Sequence, residues 1–452
     1  MSSDAEKIKK AEQPGIDAMK MHPFYKGKIE TILKCCVRDY EDFGIWYTPG
    51  VAKPCLDIRD NPDKVFEHTN KGNFVAVISD GTRVLGLGDI GPEAAIPVME
   101  GKALLFKYLG GVDAFPICID TKDTDEIIKF VLQAQPCFGG VNLEDLAQPK
   151  CFEILDTLRK KARIPIWHDD QQGTAAVTVA GLINALKVVG KGMGDVKVGM
   201  IGCGASNVRI AHLLFQAGVD PKKTVICDTK GTLHAGRTEL PESGFPQKWE
   251  LAQMTNGENI VAQREEALPA VIKDADVLVA LSKSGPGVIE KEWITTMRDD
   301  AVVFVCANPV PEIWPWEAKE AGARIVATGR SDFPNQVNNS LGFPGIFRGT
   351  LDVQARTITD EMCLAASIEL AKVAEDKGLS DDYIIPTMDE WEVFPREAVA
   401  VGMKAIEQGV ARIKFTPEEL FQTAEYQIKS SREKVQKFQE LGFIKPYPDT
   451  GQ

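Results

Sequence analysis

The run VKVGMIGCGASNVRIAHLLFQAG, residues 196–218, constrains the fold more than any other part of this 452-residue chain. A short apolar stretch runs into Gly202-Cys203-Gly204, and a helical pattern begins at once, which is the sequence of a buried strand, a tight turn and a helix. Similar apolar runs follow at TVICD (224–228), DVLVALS (276–282), AVVFVCAN (301–308) and RIVAT (324–328), with helical segments between most of them. Strands that alternate with helices imply a mostly parallel sheet covered on both faces. Residues 171–350 are therefore expected to form a Rossmann-like, doubly wound α/β domain.

The glycines have a specific use in that setting. They permit a tight turn and close backbone approach to a pyrophosphate, and the following helix start at Ala205, Ser206 and Asn207 offers free N–H groups to it. Asp228 closes the next strand, 228 − 204 = 24 residues beyond Gly204, near the spacing of an acidic residue that binds a ribose hydroxyl. This favours NAD, while Lys230 two residues on is suited to a 2′-phosphate and keeps NADP open. Asn207 stands where Gly or Ala is usual, which puts close packing of helix on strand in question.

Outside this region the signals are more mixed. Residues 1 to about 35 look helical and polar, and FGIWYTPGVAKPCLDI (43–58) brings in the Pro and Gly of a turn. FVAVISDGTRVLGLGDIG (74–91) reads as strand, turn and strand, GKALLFKYLGG as a helix ended by glycine, and AFPICID and GGVNLED as short buried strands. TAAVTVAGLINALKVVGK, from Thr174, is apolar nearly all round and is expected to be a buried helix. From Gly349 onward the chain is mainly helical. The expected division is an N-terminal α/β catalytic domain (1–170), the dinucleotide domain (171–350) and a helical tail (351–452) that packs back on the N-terminal region or serves a subunit contact.

Composition excludes several classes of function. Asp and Glu number 65 against 52 Lys and Arg, a net charge of −13, so nucleic acid and anionic membrane surfaces are unfavourable partners. The N-terminus lacks the apolar core of a signal peptide, and no run approaches the ~18 apolar residues of a membrane span. The ten cysteines form no C-x-x-C pair, and most sit among apolar neighbours, so they read as reduced core thiols of a cytoplasmic protein. The five histidines lack zinc-site spacing, which leaves carboxylates as the candidates for holding a metal.

Two acidic pairs meet that requirement, Glu144-Asp145 in GGVNLEDL and Asp169-Asp170 in HDDQQGTAAV. Neighbouring side chains on a regular strand point to opposite faces, so both members of a pair reach one ion only where the strand ends or bends. Gly139-Gly140 and Gly173 make bends plausible, and oxygen ligands suit Mg²⁺ or Mn²⁺.

Six motifs surround the dinucleotide turn in a fixed order: WYTPGVA (46–52), SDGTRVLGLGDIG (79–91), MEGKALLFK (99–107), VNLED (141–145), IPIWHDDQQGTA (164–175) and NQVNNSLGFPGIFRG (335–349). Together they closely resemble malic enzyme, in the short bacterial-type form without an appended acyltransferase domain, over about residues 43–402. The resemblance implies oxidative decarboxylation of L-malate to pyruvate and CO₂ with reduction of NAD or NADP. It makes Glu144, Asp145 and Asp170 the ligands of a divalent cation, with Asp169 as a supporting neighbour. Tyr47 takes the place of the general acid and Lys102 of the general base. Arg83 falls where a substrate carboxylate is bound, and Asn308, Asn339 and, less directly, Asn338 fall where substrate or nicotinamide is contacted. Related enzymes are oligomers, so a homodimer is expected.

The chemistry is consistent with these residue types. Lys102 can take a proton only when neutral, and burial beside a cation is expected to lower its pKa from the ordinary ~10.4. Two other readings compete: a different two-domain dehydrogenase, such as one acting on amino acids, which needs no metal, and a non-catalytic nucleotide-sensing module.

Overall fold

The computed structural model of the chain describes residues 4–448, and within them two parallel sheets organise the fold. The first has four strands in the order β2-β1-β3-β4: β1 (Phe74–Ser79), β2 (Asp113–Cys118), β3 (Gly140–Leu143) and β4 (Ile166–His168). The second has six, in the order β10-β9-β8-β5-β6-β7: β5 (Val198–Ile201), β6 (Thr224–Asp228), β7 (Gly231–Thr232), β8 (Val277–Ala280), β9 (Ala301–Val305) and β10 (Ala323–Thr328). All pairs are parallel except β6 with β7. The strands of the second sheet are continuous apolar runs because helices cover both faces, and β5, β6, β8 and β9 are buried along their whole length. Each of this region's candidate strands forms, and the strand–turn–helix pattern holds at β5, while β6 turns back into the short antiparallel β7.

Register decides where the chemistry emerges. In the first sheet Ile78 pairs with Leu143 and Leu143 with His168, so Asp80, Glu144-Asp145 and Asp169-Asp170 leave the sheet along one edge. In the second sheet Ile201 pairs with Cys227 and Ala280, and Ala280 with Val305, so Gly202, Asp228, Leu281 and Cys306 share another edge. Ligands of open parallel sheets collect beyond the carboxyl ends of the strands.

The Thr174–Val189 helix is buried on nearly every side, as its composition required. With the turn before it, Asp169–Val189 is long and apolar enough to cross a membrane by length and composition, contrary to the sequence expectation, but 78% of the apolar window lies inside the protein. The tail begins at the end of the Phe343–Asp352 helix and comprises helices Asp360–Lys377, Val393–Glu407 and Pro417–Glu440. It packs back on the rest of the chain: Ser431 Oγ donates to Lys107 O at 2.8 Å, Leu109, Phe394 and Ile428 form one buried cluster, and Asn184 donates to Ala371 O and Ile384 O.

Several local expectations differ from the structure. The N-terminal helix ends at Tyr25, earlier than the polar pattern implied. Residues 80–91 are a loop and not the second strand of a hairpin, with one bridge between Val84 and Gly88. The reason is local: Asp80 Oδ1 accepts from both the N–H and the hydroxyl of Thr82, which turns the chain out of the strand. Of the cysteines, Cys151, Cys203, Cys227, Cys306 and Cys363 are buried as expected, but Cys35, Cys36, Cys55 and Cys137 are exposed.

Candidate active site

The edge of the first sheet carries a dense charge cluster. Lys102 projects from the Pro92–Gly110 helix, is buried, and donates to Asp169 Oδ2 at 2.5 Å while lying 3.0 Å from Glu144 Oε1. Its ammonium also sits 4.4 Å from the centre of the buried Phe343 ring. Glu144, Asp145 and Asp170 offer carboxylate oxygens that all lie within 4.8 Å of one another. The two acidic pairs, 25 residues apart in sequence, are joined directly where Asp145 N–H donates to Asp170 Oδ2 at 2.9 Å.

Local backbone geometry makes this possible. Asp145 has φ +55°, a left-handed conformation that a non-glycine residue adopts at a cost, and it carries the chain out of β3. Asp169–Gly173 form a wide π-type turn before the buried helix, a feature common at functional sites. Gly173 itself has helical angles, so its role is not the bend expected from sequence. It leaves room instead, since a Cβ there would sit 2.0 Å from Asp169 Oδ1. That oxygen accepts from Trp167 Nε1 at 2.9 Å, which fixes the carboxylate that faces Lys102.

Electrostatics in the cluster are strained. Burial raises Glu144 well above the ordinary carboxylate range, opposed by Lys102 and reinforced by the neighbouring acids. Burial and then Asp170 push Asp145 up to about 8. Asp145 Oδ2 is buried without a hydrogen-bond partner. For Lys102, burial favours the neutral amine, but Asp169 and Glu144 outweigh it and hold the pKa above the usual lysine value, the reverse of the sequence expectation. Oxygen-only donors, excess negative charge and an unpartnered carboxylate oxygen fit a hard divalent cation. His168 is buried with a lowered pKa caused chiefly by burial, and its Nδ1 lies 3.7 Å from Asp170 Oδ2.

Other expected site residues lie at varying distance from this cluster. Arg83 is tied in through its backbone, which donates to Asp145 O at 2.9 Å, while its guanidinium donates to Leu85 O on the exposed side of the loop. Asn339 is close: its Cβ lies 3.2 Å from where a Cβ on Gly173 would be. Asn338 has structural work, accepting from Ser340 N–H and donating to Gly329 O. Asn308 follows β9, and its carboxamide packs against Gly329. Tyr47 stands on a turn after the Asp42–Trp46 helix, 74% exposed, and no hydrogen bond links it to the cluster among the described residues.

The phosphate turn forms as its sequence dictates. Gly202 has φ +93°, and a Cβ there would lie 2.5 Å from Leu281 O, so only glycine fits. The Ala205–Gln216 helix starts directly after Gly204. Asn207 does not loosen the junction; it is buried and donates to Ile201 O and Gly202 O, both at 2.9 Å, replacing close apolar packing by hydrogen bonds. A strand end, a glycine turn and an open helix start fit a dinucleotide pyrophosphate.

Around Asp228 the sequence reading was incomplete. The backbone N–H of Lys230 donates to Asp228 Oδ1 at 2.9 Å, and the carboxylate also engages Arg237 Nη1 and Lys248 Nζ, each at 3.0 Å. Burial works against the charge of Asp228, but Arg237, the Lys230 N–H and Lys248 hold its pKa below the ordinary value. Arg237 lies 9 residues past Asp228 in an irregular connection and Lys248 lies 20 past it in the Pro246–Met254 helix, and no periodicity singles them out.

Residues 26–159 match the malic enzyme N-terminal domain and residues 171–406 the malic enzyme NAD binding domain. A bifunctional malic/malolactic enzyme of Bacillus subtilis is 50% identical over 404 residues, covering 89% of this chain and 96% of that protein. An NAD-dependent malic enzyme of Geobacillus stearothermophilus is 50% identical over 85% of this chain and 78% of its own length. The crystal structure of Entamoeba histolytica malic enzyme superposes with a TM-score of 0.96 at 50% identity, over 99% of this chain and 93% of that one. Two matched domains in tandem, with relatives that span nearly the whole length, establish that the chain belongs to the malic enzyme family.

Proposed function

We propose that this chain oxidises and decarboxylates L-malate to pyruvate and CO₂ in the cytoplasm, reducing NAD or NADP, with Mg²⁺ or Mn²⁺ held by Glu144, Asp145 and Asp170. The observation that carries this reading is that Lys102, bound to Glu144 and Asp169, stands beside the three grouped carboxylates of Glu144, Asp145 and Asp170. When bound, the dinucleotide accepts the hydride and the cation withdraws electrons from the substrate's oxygens.

The chain's own groups do the rest. Lys102 takes the proton of the substrate hydroxyl, and Asp169 holds the amine in line for it. Glu144 is one of two carboxylates that keep Lys102 protonated, so its engagement with a cation weakens that hold. Arg83 receives a substrate carboxylate, and Asn308 and Asn339, with Asn338 behind them, orient substrate and nicotinamide. Tyr47 returns a proton to the substrate carbon after CO₂ departs.

Tyr47 shares its exposed region with Phe43, Ile45 and Trp46, an apolar surface that fits a subunit contact in a homodimer. Sedimentation of the purified protein tests that state, and a monomer at assay concentration removes it. For the cofactor, Asp228 is already paired with Arg237 and Lys248, and Lys230 adds a third cation nearby. Arg237 also pairs with Glu239 at 2.6 Å, and three cations against two carboxylates still favour acceptance of a 2′-phosphate, so NADP is a substrate along with or instead of NAD.

A steady-state assay with malate settles the main reading, comparing NAD with NADP and Mn²⁺ or Mg²⁺ with chelator. Cation-dependent turnover with at least one dinucleotide is expected. Absence of turnover under every combination refutes it.

A further inference from the structure

Glu312 lies in the loop after β9, four residues past Asn308, and is completely buried. A carboxylate so deep in the protein needs partners. Its Oε1 accepts from the backbone N–H of Ser282 at 2.9 Å and from Ser282 Oγ at 3.3 Å, and its Oε2 accepts from the backbone N–H of Ala307 at 3.2 Å. Ser282 and Ala307 stand just past the carboxyl ends of β8 and β9, which are neighbours in the sheet. One side chain thus satisfies donors on two loops that no regular ladder reaches. Burial lifts its carboxyl to about 7, while the backbone N–H groups pull the other way.

The loop after β8 touches the glycine turn, and the loop after β9 touches the first-sheet loop that carries Arg83. Leu281 O approaches the phosphate turn so closely that Gly202 can carry no side chain, as described for that turn. Asn308 O lies 2.5 Å from where a Cβ on Gly86 would be, in the loop that also carries Arg83. The two loops are further tied where Ser284 Oγ donates to Val310 O at 3.1 Å. A continuous path of short contacts therefore runs from the phosphate turn, through Ser282 and Glu312, to Asn308 and the loop of the first sheet.

We propose that Glu312 is a positioning residue for the dinucleotide: its carboxylate holds the loops after β8 and β9 together and so fixes Leu281, which backs the glycine turn, relative to Asn308, which lies beside Gly86 and Gly329. The inference rests on reading that turn as the NAD(P) site. Removing the carboxylate leaves the Ser282 and Ala307 N–H groups unpaired and frees the two loops to separate, which weakens cofactor binding more than malate binding. Glutamine preserves the shape and one acceptor oxygen, but its NH₂ opposes an N–H donor in place of the other oxygen.

The test uses full-length Glu312→Ala and Glu312→Gln proteins. Binding of NADH and NADPH is measured by fluorescence titration without malate or metal, alongside steady-state KM for each substrate and thermal melting. Glu312→Ala is expected to raise the dinucleotide Kd and KM by about tenfold, with the KM for malate within about twofold, and Glu312→Gln to recover part of the loss. A dinucleotide Kd and KM within twofold of wild type in both variants overturns the proposal, even if the melting temperature falls, since a purely structural role would lower stability alone. Should the alanine variant fail to fold, the glutamine variant decides: a threefold or greater rise in dinucleotide Kd upholds the role, and a smaller one rejects it. Wild-type protein that binds neither NADH nor NADPH overturns the NAD(P) reading itself, a result distinct from failure of the Glu312 role in a protein that does bind.

Discussion

The two sheet edges solve opposite problems. At the first, charged side chains are brought together from the ends of two strands and a helix, with Lys102, Glu144, Asp145 and Asp169 all buried. At the second, the phosphate turn is made from backbone, with Gly202 free of a side chain and helix N–H groups left open. The carboxylate cluster is held in unfavourable electrostatics, which the proposed cation would relieve; the glycine turn is set by space. The first depends on the whole tertiary arrangement and on pH; the second takes its turn and helix start from consecutive residues, with Leu281 O closing the space at Gly202.

Substitutions at the first edge should abolish chemistry and leave cofactor binding intact. Asp170→Ala is expected to lower metal-dependent kcat by about a thousandfold or more, because it removes a proposed ligand and the acceptor of Asp145 N–H. Near-normal activity with Mn²⁺ would take Asp170 out of the ligand set. Lys102→Ala should reduce kcat by about 10²–10⁴-fold while NADH titrates as in wild type. An unchanged kcat ends its assignment as base.

The converse experiment is at the second edge. Gly202→Ala forces a side chain against Leu281 O at a positive φ, and should raise KM for both dinucleotides by about tenfold or more without altering Mn²⁺ affinity. Comparable losses in both would mean that the two edges are not independent. A smaller effect separates the cofactors: Lys248→Ala should raise KM for NADP by about tenfold and change that for NAD by less than twofold, and equal changes would remove the 2′-phosphate role.

The smallest effect is on stability, and its sign follows from the shift. Asp145 is raised to about 8 in the folded protein against an ordinary carboxylate value near ~3.9, so between these values the folded state holds a proton that the unfolded chain has released. Without a cation, this group makes the protein less stable as pH rises from about 4 to 8. In chelator, Asp145→Asn should therefore melt higher than wild type, by a margin that grows over that pH range. A margin constant with pH would show that Asp145 ionises freely in the fold.

The same contrast explains what was legible in the sequence. The strand, turn and helix at 198–216 follow from consecutive residues, and so does the buried Thr174–Val189 helix. The 80–91 loop was misread as a hairpin because β-branched and glycine residues there mimic a strand, whereas the Asp80–Thr82 hydrogen bonds that turn the chain are too short-range to disturb an apolar pattern. Gly173 reads as a bend in the sequence, whereas its use is to make room for Asp169, a contact that packing alone sets. Arg237, in irregular chain, and Lys248, on the Pro246–Met254 helix, carry no signal because only the fold brings them to Asp228.

By itself, then, the sequence determined the second sheet and its phosphate turn, because apolar runs, glycines and a helix start act over neighbouring residues. It also held six family motifs in order, which named a chemistry without locating it in space. Only the tertiary structure decided that Glu144-Asp145 and Asp169-Asp170 share one edge, because that depends on the register of β3 with β4. The charge state of Lys102 was likewise out of reach of the sequence, since burial and its two carboxylate neighbours compete, and their balance is set by distances that exist only in the folded chain.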